Sequence, residues 1–185
     1  MRQTRHAPLL IGVLSWLIVL TAPAQKFSAV ERASGLPNSV DLRPAFEQWH
    51  LPMRSQGQRG TCSVFAMTGA IEFALATQRQ TGTVLSVEFL NWASNQAITN
   101  FADGGFFFDL WKGYERFGIC AETNFPYRKE FDSNLHPSAR ALLDARRMAK
   151  VHLHLNWIKP WNVHTGLTGE QFQAIKRTLA RGWPV

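Results

Sequence analysis

The stretch QGQRGTCSVFA, at residues 56–66, joins a polar, glycine-containing loop to the start of an apolar periodic pattern. Beyond Cys62, apolar residues recur at positions 64, 67, 71, 74 and 75, which places them on one face of a helix. The spacing predicts a long helix that begins near Cys62. The preceding loop therefore delivers Cys62 to the first turn of this helix.

A cysteine in the first turn of a helix is a candidate nucleophile, because the unpaired N–H groups and the helix dipole stabilise its thiolate. Attack on an amide also requires donors for the developing oxyanion. Gln56, six residues upstream, is a neutral donor that could fold back beside the N–H of Cys62, and Gly57 and Gly60 permit the bend. An isolated cysteine is more commonly a buried and inert thiol. Whether Cys62 is a nucleophile therefore has to be inferred from the surrounding sequence.

Residues 56–66 resemble the active-site segment of the papain-like cysteine peptidases (peptidase C1), whose pattern runs Gln-Gly-x-Cys-Gly-x-Cys-Trp-Ala-Phe. Five further segments are similar to that family and occur in its order. They are VDLR at residues 40–43, LSVEFL at 85–90, DGG at 103–105, GICAETNFPY at 118–127 and GWPV at 182–185. The resemblance therefore extends over nearly the whole chain from residue 36.

The fold that this resemblance implies is α+β and papain-like, with a complete helical half and most of the β-barrel half missing. The pattern predicts extended chain at residues 36–44 and helices at 86–96, 106–117, 138–148 and 169–180, the last with Phe172, Ile175 and Leu179 facing inward. Alternating apolar and polar residues predict a half-buried strand at 150–157.

The resemblance also implies roles for individual residues. Cys62 would be the nucleophile, and Gln56 with the backbone N–H of Cys62 would donate to the oxyanion. Gly104 and Gly105 would hydrogen-bond an extended peptide or protein substrate, which suits glycine because no Cβ blocks the approach. Among the departures from the family pattern, Arg59 and Ala102 stand where the family usually has a pair of disulfide-bonded cysteines.

Two features of the site stay open on sequence grounds. Phe106 and Phe107 either form one wall of the main specificity pocket, as in the family, or pack in the core. Cys120 either forms a disulfide with Cys62, or it is free, buried or paired with a group outside this chain. The loop sequence before Cys62 argues against the disulfide with Cys62.

The general base is missing from this pattern. In papain-like enzymes the catalytic His and Asn follow the Cys by about 130 to 150 residues, which is beyond Val185. We therefore expect a C-terminally incomplete peptidase, inactive alone. The alternatives are a catalytically dead, exported peptide-binding module and, less favoured, a cell-wall amidase. His152 and His154 share one face of the predicted strand, but no third ligand is near, so we expect neither a metal nor a cofactor.

Composition limits the remaining classes. The chain has 185 residues, two cysteines, 45% hydrophobic residues and a net charge of +7. These values exclude a disulfide-dense miniprotein, an acidic disordered chain and a large multidomain enzyme. The basic residues are dispersed, so the charge does not indicate nucleic-acid binding, and the sequence leaves the oligomeric state open.

The N-terminus predicts export. Residues 1–24 combine a basic start, an apolar run at 9–20 and the small-residue motif Ala22-Pro23-Ala24, as in a cleavable signal peptide. The apolar run is shorter than the roughly 20 residues that a membrane span requires. The predicted organisation is a signal peptide (1–24), a short segment (25–35) and a peptidase domain (36–185) that is secreted or periplasmic, with no other membrane contact.

Overall fold

The structure, a computed structural model, describes residues 35–162 and 164–185, so the predicted signal peptide lies outside the described residues. In these ranges the chain forms six α-helices and one 3-10 helix. The helices are α1 (Arg43–Gln48), α2 (Cys62–Arg79), α3 (Val87–Ile98), α4 (Phe107–Phe117), the 3-10 turn (Glu122–Asn124), α5 (Ala139–Met148) and α6 (Gly169–Ala180). None of these described helices is both long and apolar enough to cross a lipid bilayer.

Helix α2 forms the centre of the core, and it begins at Cys62 as the sequence predicts. Its apolar stripe is buried at Val64, Met67, Ile71 and Leu75. This stripe contacts the segment before α3 and the inner faces of α3 and α4. The burial of one face therefore fixes the rotation of α2 and leaves the exposed Cys62 at its first turn.

Helices α3 and α4 approach each other closely. Ser86 caps α3, since its Oγ accepts a hydrogen bond from the N–H of Phe89 at 2.9 Å. Gly113 of α4 lies against the α3 backbone, where a Cβ at this position would sit 2.4 Å from the nitrogen of Ser94. The close approach therefore depends on a residue without a side chain.

Backbone pairing connects the segments that flank these two helices. Leu85 and Ala121 form an isolated antiparallel bridge, supported by hydrogen bonds from Ser86 N–H to the Cys120 carbonyl and from Glu122 N–H to the Val84 carbonyl. The bridge joins the entry to α3 with the chain that follows α4. It brings residues 118–127 next to the loop that precedes α2.

The prediction of a strand at residues 150–157 is wrong, because this segment has no β-pairing within the described part of the chain. Its alternation is nevertheless visible in burial, because Val151, Leu153 and Leu155 are half-buried against the core while His152 and His154 are exposed. An extended backbone produces this alternation with or without a hydrogen-bonded neighbour. A strand additionally requires a partner, which local sequence does not specify.

Helix α6 has the predicted bounds but not the predicted burial. Ile175 and Leu179 are half-buried, whereas Phe172 is 52% exposed and the prediction that it faces inward is wrong. Periodicity identifies one face of a helix, but it does not identify the element that covers that face. A further difference is α1, which occupies residues predicted in part as extended chain, with Pro44 in its first turn.

Candidate active site

The thiol of Cys62 lies at the first residue of α2, and it is exposed and unpaired with any other cysteine. First-turn N–H groups of an α-helix have no acceptor within the helix. The backbone N–H of Cys62 is such a group, and the carbonyl of the preceding Thr61 already accepts from Phe65. The helix therefore presents a thiol together with a backbone donor.

Gln56 lies on the loop before α2 with its side chain folded back along that loop. Its Nε2 donates to the carbonyl of Arg59 at 2.7 Å, and the residue is half-buried. An amide nitrogen carries two hydrogens, so one remains for another acceptor. This orientation is compatible with the oxyanion role, which stays a prediction.

Arg59 belongs to the same loop, and its side chain turns into the protein, so that only 6% of the residue is exposed. Its guanidinium pairs with both carboxylate oxygens of Glu88 on α3 and binds Asp103 through Nη2 at 2.8 Å and Nε at 3.1 Å. Nη1 also donates to the carbonyl of Arg128 at 2.9 Å. Although burial acts to lower the pKa of Arg59, its hydrogen bonds to Asp103 and Glu88 raise that pKa above its usual range.

Tyr127 anchors the loop from a second side. Its hydroxyl lies 2.6 Å from Thr61 Oγ1 and donates to the Gln56 carbonyl at 3.0 Å. The Arg59 guanidinium lies over the Tyr127 ring at 4.5 Å, and Phe65 contacts the ring edge. The sequence motifs gave no role to Arg59 or Tyr127, and the one signal for Arg59 is that it is a lone arginine between the glycines of the loop.

The two glycines predicted to bind substrate occupy different environments. Gly104 is buried with φ +96°, its N–H donates to Asn91 Oδ1 at 3.0 Å, and a Cβ would sit 2.3 Å from the Gly60 carbonyl oxygen. Gly105 is exposed, and its carbonyl accepts from Ser63 Oγ at 2.6 Å. Gly104 therefore packs against the loop that precedes α2. Gly105 is exposed to solvent and is bonded to Ser63, the residue after Cys62.

Phe106 and Phe107 are exposed at 64% and 43%, so the alternative that both pack in the core is wrong. Phe106 contacts the ring of Trp161 at a centroid distance of 5.9 Å. These two aromatic side chains follow Gly105 directly. An apolar surface therefore lies next to the exposed glycine.

The two cysteines differ in accessibility and chemistry. Cys62 and Cys120 form no disulfide with each other, which confirms Cys120 as a free, buried thiol. Burial raises the pKa of Cys120 to about 12, with a further contribution from Asp144. Cys120 is thus a protonated, inaccessible thiol at neutral pH, and Cys62 is the accessible one.

The described residues bring no imidazole to the thiol. The histidines at positions 50, 136, 152, 154 and 164 are all exposed, and none is hydrogen-bonded to Cys62 in residues 35–162 or 164–185. The same ranges contain no cluster of three or more His, Cys, Asp or Glu residues with the geometry of a metal site.

The family model "Papain family cysteine protease" matches residues 36–180. The match covers most of the chain, and the chain belongs to the papain family of cysteine proteases. No curated protein matches this chain. The family membership confirms the fold class predicted from the sequence, and the described residues supply the helical part of that fold without a sheet.

Solved structures of cysteine proteases are similar to this chain. Xylellain, a cysteine protease from Xylella fastidiosa, matches with 23% identity and a TM-score of 0.51 over 62% of this chain and 46% of that protein. Digestive procathepsin L 3 of Tenebrio molitor larval midgut matches with 29% identity and a TM-score of 0.48, over 61% and 35% of the two chains. The chain thus spans less than half the length of either structure.

Proposed function

We propose that this chain carries the nucleophile of a cysteine-type peptidase, with Cys62 as the attacking residue. The observation that supports the proposal most directly is the exposed, free thiol at the first residue of α2, whose next residue, Ser63, is hydrogen-bonded to the exposed Gly105. Gly105 would bind the backbone of an extended peptide. The apolar surface of Phe106 and Phe107 would favour an apolar side chain next to the scissile bond.

In the proposed reaction the Cys62 thiolate attacks the carbonyl carbon of a peptide bond. The carbonyl oxygen becomes an oxyanion that accepts from the Cys62 N–H and from the second Nε2 hydrogen of Gln56. The C–N bond then breaks, the amine leaves with a proton, and a thioester remains on Cys62. Water cleaves the thioester, releasing the carboxylic acid and regenerating the thiol.

Proton transfer in these steps requires an imidazole. Since the described histidines do not contact Cys62, we propose that residues 1–185 alone form no acyl-enzyme and that the whole protein supplies the base from other residues. Export through residues 1–24 belongs to the same proposal. Burst release of an acyl product by the 185-residue chain, lost in Cys62→Ala, would contradict its inactivity.

The nucleophile can be tested without the base. A dipeptide with an apolar side chain, carrying a chloroacetamide, reacts with a thiolate by displacement of chloride and formation of a thioether. We expect saturable labelling of one site in the 185-residue chain, measured by intact mass and peptide mapping. Cys62→Ala should abolish the labelling, and the matched variant Cys120→Ala should retain it.

Two results would overturn the proposed function. One is labelling that persists in Cys62→Ala. The other is a labelling rate that rises linearly with probe concentration and equals that of 2-chloroacetamide, which has the same leaving group, because a thiol without a peptide site gains nothing from the dipeptide.

A further inference from the structure

The loop that carries Cys62 is connected to the Gly104–Gly105 segment by a buried ion-pair cluster, defined here as Arg59, Glu88 and Asp103. Arg59 lies on the loop, Glu88 lies on α3, and Asp103 directly precedes Gly104. The side chains of Arg59 and Glu88 are 3% and 4% exposed, and that of Asp103 is 21% exposed. The cluster therefore lies in an environment where charge pairs are weakly screened.

The geometry of the cluster fixes the orientation of the Arg59 guanidinium as well as its distances to the two carboxylates. Arg59 directs two nitrogens to Asp103 and two to Glu88, and a planar guanidinium holds such double contacts in one orientation. Asp103 Oδ2 also accepts from the Gly60 N–H at 3.3 Å. One carboxylate thus binds both the side chain and the backbone of the loop that ends at Cys62.

We propose that Arg59 is a positioning residue that holds the thiol of Cys62 in register with Gly105 through Asp103 and Glu88. This inference rests on the function proposed above, because it concerns the alignment of nucleophile and bound peptide. Arg59 itself does not contact the substrate. The cluster contains no sulfur, so the alignment is independent of reducing agents.

The sharpest test is Asp103→Asn, which removes the charge next to Gly104 and leaves the buried Arg59–Glu88 pair intact. We expect the efficiency of Cys62 labelling by the dipeptide chloroacetamide to fall about tenfold, since small displacements of reacting groups have large effects on rate. Labelling by iodoacetamide, which requires no alignment with Gly105, should change less than about twofold by the same reasoning. The matched control is Asp41→Asn, which alters an exposed carboxylate paired with Arg43 at 2.6 Å and should leave both rates unchanged.

A second variant separates the effect of the positive charge of Arg59 from the effect of its planar shape. Arg59→Lys retains the positive charge, but a lysine lacks the planar fork that binds two carboxylates at once. We expect it to reproduce the loss in peptide labelling. Cys120 reports on folding in every variant, because a thiol buried in the core stays unlabelled only while the core is intact.

Amide hydrogen exchange at Gly60 and Gly104 provides a readout that does not depend on the proposed chemistry. Faster exchange at these two amides in Asp103→Asn and Arg59→Lys, with Cys120 still protected, is the expected result. Unchanged exchange in both variants would overturn the positioning role of Arg59, whatever the labelling shows. Equal peptide-labelling efficiency in wild type and Asp103→Asn would overturn it as well, whereas absence of saturable labelling in wild type would overturn only the proposed function.

Discussion

Gly113→Ala should destabilise the protein by about 3 kcal/mol, the upper part of the range for overpacked cores. An added Cβ would lie 2.4 Å from the Ser94 nitrogen, 2.7 Å from the Ala93 carbonyl carbon and 2.8 Å from the Ser94 Cα. All three atoms belong to the α3 backbone, so no flexible side chain can move aside. The helices α3 and α4 must therefore separate, which opens gaps in the core around Leu90 and Leu110. Urea unfolding followed by circular dichroism measures the effect.

Gly69→Ala is the matched control, because Gly69 also lies inside a helix but a Cβ there meets no atom within 4 Å. Alanine is favoured over glycine in a helix interior by about 0.5–1 kcal/mol. We therefore expect Gly69→Ala to raise the free energy of unfolding while Gly113→Ala lowers it. A Gly113→Ala protein as stable as wild type would show that α3 and α4 are not in backbone contact.

The free energy of unfolding should fall as the pH rises from about 4.5 to about 7 because of Glu72. Its carboxyl is buried, and burial raises its pKa from 4.5 to about 7, although Arg54 Nη2 at 2.6 Å acts to lower it. Between those values the folded state binds more protons than the unfolded state, so stability decreases with pH. The contribution is fully present below pH 4.5 and is lost as the pH passes through 7. One pKa unit corresponds to about 1.4 kcal/mol, so the loss is at most about 4 kcal/mol.

Glu72→Gln should remove this part of the pH dependence. The amide oxygen can still accept from the Leu85 N–H, which binds Glu72 Oε1 at 2.7 Å in the wild type. Glu130→Gln, at an exposed position, is the control and should keep the wild-type profile. The measurement is the midpoint of urea unfolding between pH 4.5 and 8. An identical slope in wild type and Glu72→Gln would contradict the assignment of the pH dependence to Glu72.

Local sequence determines much of the helical structure. Residues within a few positions of each other specify four of its features, namely the start of α2 at Cys62, the Ser86 cap of α3, the end of α4 at Gly118 and the bounds of α6. The strand at 150–157 and the burial of Phe172 could not be determined in this way. Both depend on a neighbouring element, and periodicity carries no information about which element is present.

The sequence by itself therefore determined the family and a candidate nucleophile at the N-terminus of a helix, because both depend on short motifs whose geometry is local. Only the tertiary structure showed how the loop of Cys62 is held. Arg59 contacts Glu88, 29 positions away, and Asp103, 44 positions away. Tyr127 reaches Gln56 across 71 positions. Such contacts arise when separate helices bury their apolar faces together. That assembly brings together charged side chains that are far apart in the sequence, so no short motif predicts their contact.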